Sequence, residues 1–109
     1  MSYFEVFAGK NDQYYFRLKA GNHEPVLVSE GYASKSGCQN GIESVKRNAP
    51  NDAHYVRREG PSFSFTLKAA NGEPIGRSET YSSASARDHG IEAVKRAAAE
   101  ATVKDLTLA

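Results

Sequence analysis

Apolar and polar positions alternate most clearly in two stretches of the chain. From Gln13 to Ala20, Tyr14, Phe16 and Leu18 fall on one side and Tyr15, Arg17 and Lys19 on the other; from Ser62 to Ala69 the matching apolar places are held by Phe63, Phe65 and Leu67. A period of two is the mark of a half-buried strand, so each stretch predicts a strand with one face on a core and one in water. Tyr3 to Ala8, rich in aromatic and β-branched residues, predicts a preceding strand, with Gly9-Lys10-Asn11-Asp12 as the turn between them. Short strands are expected over Val26 to Glu30 and Ile75 to Glu79. Each follows a turn that ends in proline, Gly21-Asn22-His23-Glu24-Pro25 and Ala70-Asn71-Gly72-Glu73-Pro74, which puts the missing N–H at the strand entry. Ala53 to Arg58 predicts a further strand, leaving through Gly60-Pro61. Thr102 to Leu108 predicts a weaker last one, in which Val103, Asp105 and Thr107 alternate with Lys104, Leu106 and Leu108.

Between these segments the period lengthens to that of a helix. Cys38, Gly41, Ile42, Val45 and Ala49 make one apolar stripe, and Gly90, Ile91 and Val94 make another. Ser34 and Ser83 stand where an N-cap is needed, Lys46 and Arg47 suit the negative end of the first helix, and Pro50 closes it. The first helix is expected to run to about Asn48, the second to Ala98. Glu43 and Glu92 each have an arginine four residues on, Arg47 and Arg96, an order that supports a solvated pair worth about 0.2–0.5 kcal/mol.

The two patterns are one pattern repeated. A shift of 49 aligns residues 14 to 47 with 63 to 96 without a gap, with 18 identities in 34 positions. Two copies are too few to cap a solenoid, so a closed pseudo-symmetric pair is expected, each helix shielding half of a shared sheet. The 109 residues then make a single domain of two repeats, about 1–51 and 52–109. The phrases Phe16-Arg-Leu-Lys-Ala-Gly-Asn22, Ser29-Glu-Gly-Tyr32 and Asn40-Gly-Ile-Glu-Ser-Val-Lys46 are answered by Phe65-Thr-Leu-Lys-Ala-Ala-Asn71 and Gly90-Ile-Glu-Ala-Val-Lys95. Together they closely resemble the YegP-like family along essentially the whole chain. The resemblance implies an α+β fold of tandem β(3)-α-β repeats that share one antiparallel sheet, with two helices on one face and the C-terminal strands exchanged between repeats. It gives Ala53 to Arg58 a double role, closing the first copy and opening the second. It implies no activity and no catalytic residues.

Composition narrows the classes without choosing one. Fourteen Lys and Arg against thirteen Asp and Glu leave a net charge of +1, so no global field draws the protein to nucleic acid or an anionic membrane; only a local basic patch would. The one cysteine excludes an internal disulfide framework and suits a reducing compartment, and Met-Ser-Tyr-Phe-Glu is unlike a signal peptide, so a cytoplasmic protein is expected; because the duplication already supplies both halves, it is expected to be a monomer.

Candidate chemistry is sparse. His23, His54 and His89 have no histidine twins in the other copy, and neither a Cys pair nor a His-x-x-x-His spacing occurs, so no metal and no cofactor is expected. Cys38 lies on an apolar stripe with Arg87 as its twin, the setting of a buried inert thiol rather than a nucleophile. Glu24, Glu30 and Glu43 recur as Glu73, Glu79 and Glu92, which turns, caps and ion pairs explain more cheaply than acid–base catalysis does. Tyr32 and Tyr81, just before the caps, are read as fold determinants that pack over the helix entry while their hydroxyls find partners. The remaining candidate is the outward face of the second strand in each copy: Tyr15, Arg17 and Lys19, matched by Ser64, Thr66 and Lys68, with Arg57 alongside. The expected function is a non-catalytic binding or accessory module that uses this face on a protein or small polar ligand. Single-stranded nucleic acid on a basic, aromatic face is the alternative, and an enzyme with a polar cleft between the repeats is a second one.

Overall fold

The computed structural model describes residues 1–107, in the order β1 (Tyr3–Ala8), β2 (Tyr14–Lys19), β3 (Pro25–Ser29), α1 (Lys35–Asn48), β4 (Tyr55–Arg58), β5 (Ser64–Lys68), β6 (Pro74–Arg77), α2 (Ala84–Glu100) and β7 (Thr102–Asp105). The strands form one sheet, ordered β4-β5-β6-β3-β2-β1-β7. Each copy contributes an antiparallel meander, and the two meanders meet at β3 and β6 through Val28 opposite Arg77 and Ser29 opposite Gly76. Both helices pack on the same face over one continuous core that contains Phe4, Phe16, Leu18, Leu27, Ile42, Val45, Phe65, Leu67, Ile91 and Val94.

Small polar devices explain the repeated phrases. Asn22 and Asn71 accept from the backbone N–H of Glu24 and Glu73 at 3.1 and 3.0 Å, closing the turn between the second and third strand of each copy. In that turn the chain goes left-handed at His23 in the first copy and at Gly72 in the second. Ser29 Oγ accepts from the Phe16 N–H at 2.9 Å and donates to the Glu30 carbonyl at 2.8 Å; Ser78 does the same for Phe65 and Glu79. Each serine thus fills a gap in the ladder where the chain peels away toward its helix. Ser34 and Ser83 cap the helices, accepting from the N–H of Gly37 and Ala86 at 3.0 Å, contacts of about 1 kcal/mol each.

Several boundaries and one strand direction differ from expectation. β7 joins β1 in parallel, Tyr3 beside Thr102 through Val6 beside Asp105, so the sheet is mixed and antiparallel only over its other six strands. β7 reaches β1 through the long helix α2 and not through a hairpin turn, so no tight turn imposes an antiparallel direction on the pair. The exchange itself is present: β7, leaving the second copy's helix, completes the first copy's edge. The strand expected from Ala53 begins at Tyr55, since Asn51 accepts from the Ala53 N–H at 3.0 Å and winds Asp52–His54 into a 3₁₀ turn. β7 stops at Asp105, whose carboxylate takes the Thr107 N–H at 2.8 Å and turns the chain; Leu108, expected in this strand, lies outside the described residues. α2 extends beyond Ala98 to Glu100, with no proline to end it as Pro50 follows α1. Glu43 and Glu92 pair with Lys46 and Lys95, three residues on, rather than with Arg47 and Arg96.

Candidate functional site

Strand alternation decides which side chains reach the face away from the helices. One row crosses the entire sheet in register: Lys104, Glu5, Arg17, Val28, Arg77, Thr66 and Val56. Tyr3 and Lys19 flank it as a facing pair, as do Phe7 and Tyr15, while Arg58 lies opposite Ser64 and Lys68 opposite Pro74. Four of the five residues singled out from the sequence, Tyr15, Arg17, Lys19 and Lys68, therefore share this open face. Arg57 does not. It stands opposite Phe65, on the helix side, where Nη2 is 3.1 Å from Asp52 and Nε 3.1 Å from Asp88 of α2. Within β4, Tyr55 and Arg57 share the helix side and Val56 and Arg58 the open side, a phase fixed by pairing with β5 that the sequence of so short a strand does not show.

The open face is basic. Its strand positions hold six basic residues, Arg17, Lys19, Arg58, Lys68, Arg77 and Lys104, and one acid, Glu5; all other positions hold eight basic and twelve acidic residues. Glu5 is buried at 8 % exposure and serves two of them: Arg17 Nε approaches at 2.8 Å, off the line of a hydrogen bond, and Lys19 Nζ at 3.5 Å. Among the described residues Arg58, Lys68, Arg77 and Lys104 make no salt bridge. The sequence contained the signal for Arg58, Arg77 and Lys104, but only the strand register assigns them to one surface.

Aromatic rings occupy the first copy's half of the face. Phe7 and Tyr15 stack at 5.6 Å with 18° between planes, and the Arg17 guanidinium lies 4.1 Å from the centre of the Phe7 ring. Lys104 Nζ is 5.8 Å from the Tyr3 ring, and the Tyr3 hydroxyl is 3.1 Å from His23 Nδ1. Asn11 donates to the Tyr15 hydroxyl at 2.9 Å and so fixes that ring. In the second copy the places of Phe7 and Tyr15 are taken by Arg58 and Ser64, and this half has charge without rings.

The other candidates are dispersed. His54 is held between Asn48 at 2.6 Å and Asn51 at 3.3 Å, far along the chain from His23 and its Tyr3 partner. Among the described residues no three His, Cys, Asp or Glu side chains come together as a metal site would require. Cys38 is fully buried, and burial first, then the nearby Asp105 carboxylate, pushes its thiol up to about 11. Burial also raises the phenols of Tyr32 and Tyr81, with Glu30 and Glu79 adding to the effect, which puts these two glutamates near the strand–helix joints. Among the described residues are shallow hollows, two of which have defined linings. One of about 300 Å³ lies between α1 and β7, lined by Gln39, Asn40, Ile42, Glu43 and Val103. One of about 180 Å³ lies at the end of α2, where Ser2 Oγ is engaged by the Ala97 carbonyl at 2.9 Å. Neither contains Glu30, Glu79 or a histidine.

Comparison with known proteins matches this arrangement to others. The family model described as a domain of unknown function, DUF1508, matches twice, at residues 10–55 and 60–105. A UPF0339 protein of Stutzerimonas stutzeri, from the region upstream of the ptx operon, is 56% identical over 55 residues, 50% of each chain. A UPF0339 protein of Treponema denticola is 54% identical over 50 residues, 46% of this chain and 86% of that protein. The alignment thus spans about half the length of the first relative and most of the second. Two solution NMR structures share the fold over 96% of this chain: a UPF0339 protein of Shewanella oneidensis, with TM-score 0.90, 47% identity and 91% of its own chain covered, and the E. coli protein of unknown function YegP, with TM-score 0.91, 41% identity and 92% covered.

Proposed function

The chain belongs to the DUF1508 family, a domain of unknown function that it carries twice, and from that premise we propose that it is a non-catalytic binding module whose open sheet face takes an extended anionic ligand. The observation that carries this reading is the segregation of charge: four basic side chains on one flat face have no acidic partner among the described residues, although the net charge of the whole chain is only +1. A surface of one sign attracts counter-charge whatever the total charge is. On the helix side acids stand among the bases, as Asp52 does between Arg57 and Lys95, so the positive sign is interrupted there. A binding rather than a catalytic role is supported by the two hollows, in which no nucleophile stands free beside a base. In this reading the protein acts in the cytoplasm as a monomer, the second repeat covering the edge of β3 that a lone repeat would present to a partner.

Titrating short-chain polyphosphate into isotope-labelled protein at low salt tests this. Amide shifts are expected to cluster at Arg58, Lys68, Arg77 and Lys104 and to vanish in high salt, and an Arg17, Lys19, Lys68 triple-alanine variant should bind several-fold more weakly. Shifts confined to the outer faces of α1 and α2, or no shifts at all, would refute the reading.

A further inference from the structure

The open face is chemically two-sided, and that asymmetry identifies the ligand more closely. Resting on the anionic-ligand reading above, we propose that the ligand is single-stranded nucleic acid, its bases stacked on the rings of Tyr3, Phe7 and Tyr15 and its phosphates taken by Arg77, Lys68 and Arg58. Charge alone fits any polyanion. The rings do not: Phe7 and Tyr15 stack at 5.6 Å with 18° between planes and the Arg17 guanidinium lies over Phe7, so this half offers half-buried π surfaces bordered by positive charge. An acidic peptide has nothing planar at each repeat to place there, whereas every unpaired base does. A duplex hides its bases in the stack and presents only phosphates.

The dimensions agree with a short single strand. Seven strands set about 4.8 Å apart give a platform some 29 Å wide. Along it Arg17 and Arg77 stand two strands apart with only Val28 between, and Lys104 stands two strands from Arg17 on the other side. Because the rings lie on the first copy's half and three of the four unpaired cations, Arg58, Lys68 and Arg77, on the second's, a strand threaded across the sheet has a preferred direction. The twofold repeat of the backbone does not impose that direction; the substitutions between copies, Tyr15 for Ser64 and Val28 for Arg77, create it.

Fluorescence anisotropy with a labelled mixed-sequence 12-nucleotide single strand, its duplex, and polyphosphate of equal charge in about 50 mM salt tests the proposal. The single strand should bind with log K falling against log salt with a slope near about −3, as roughly four phosphate contacts give. Tyr3→Leu and Phe7→Leu should each weaken it about tenfold, the lower part of the range for losing a stacked base. The same variants should leave polyphosphate binding within about twofold, whereas Lys68→Glu with Arg77→Glu should weaken both ligands tenfold or more. Thermal melts check folding, and if Phe7→Leu fails to fold, Tyr3→Leu and the wild-type ring-proton shifts carry the test. A single strand bound no better than duplex or polyphosphate, and indifferent to ring loss, would overturn the nucleic-acid assignment and leave the anionic face standing. Failure of all three ligands to bind would overturn both.

Discussion

Tyr32 and Tyr81 reach from the strand–helix joint across to Gly41 and Gly90, and a Cβ at either glycine would collide with the tyrosine hydroxyl and ring carbon. Their rings stack on Phe16 and Phe65 at 6.3 Å, with 16° and 11° between planes. The hydroxyls lie over the glycines rather than on a hydrogen-bond partner among the described residues, so these glycines exist for close approach. Alanine at Gly90 gains about 1 kcal/mol in helix propensity but loses about 1–3 kcal/mol to overpacking. Gly90→Ala is therefore expected to destabilise the protein by about 1 kcal/mol in urea melts, and Tyr81→Phe, which removes the nearest atom, to recover part of that loss in the double variant. Truncating Tyr32 to Ala should cost about 3 kcal/mol, and a loss under about 1 would contradict its role in the joint. Cys38 allows a separate check. Fully buried and with its thiol pushed up to about 11, it should resist thiol reagents at pH 8 and react only as fast as the protein unfolds.

Among the elements, the two outer edges of the sheet are finished in different ways. At one end the last strand is β7, held on β1 by the Leu106 N–H to the Val6 carbonyl at 2.8 Å and by Lys35 to Asp105 at 2.8 Å. At the other end the last strand is β4, bordered by ion pairs of Arg57 and Arg87 with Asp52, Asp88 and Glu59, charges that discourage pairing with another strand. The β7 edge should depend on pH. The Lys35 ammonium first, then hydrogen bonds from Thr107, hold the Asp105 carboxyl down to about 2, below its ordinary 3.8. A depressed folded-state value means that the contribution is complete above about pH 4 and fades as pH falls through about 2. Protection of the Leu106 amide from hydrogen exchange, corrected for intrinsic rate, is expected to drop over that interval before core amides do. In Asp105→Asn it should be weak throughout and lack this dependence; unchanged protection in the variant would count against the ion pair as the tether.

For the molecule as a whole, the repeats are not separable units. α1 packs on β5 and β6 as well as on its own β2, and α2 packs on β1, β2 and β3 as well as on β5. Phe65→Ala, in the second copy, should cost about 3–5 kcal/mol and lower the stability of both halves in a single transition. Two resolved transitions would mean that each repeat folds by itself. The seam between copies also forbids exact symmetry. Leu27 and Gly76 are twins under the 49-residue shift, yet a Cβ on Gly76 would meet the Val28 carbonyl at 2.9 Å and the Leu27 side chain at 3.0 Å. One large and one small residue fit across β3 and β6 where two large ones would collide.

The sequence by itself determined what depends on local period and short-range chemistry. The two strand-and-helix patterns, the serine caps and the buried Cys38 follow from residues within a few positions of one another, because alternation and capping are local preferences; the tandem-repeat architecture came from the 49-residue self-match and from the resemblance to the YegP-like family. Part of the candidate face was legible too, since Tyr15, Arg17 and Lys19 sit on one clean alternation. What only the tertiary structure decided is long-range pairing. The parallel seating of β7, the register that draws Arg58, Arg77 and Lys104 onto one surface, and the pairing with β5 that turns Arg57 to the other face each depend on which backbone lies alongside which. A one-residue change of phase reverses a side chain's face, so a basic surface that a total charge of +1 hides became visible only when all seven strands were in register.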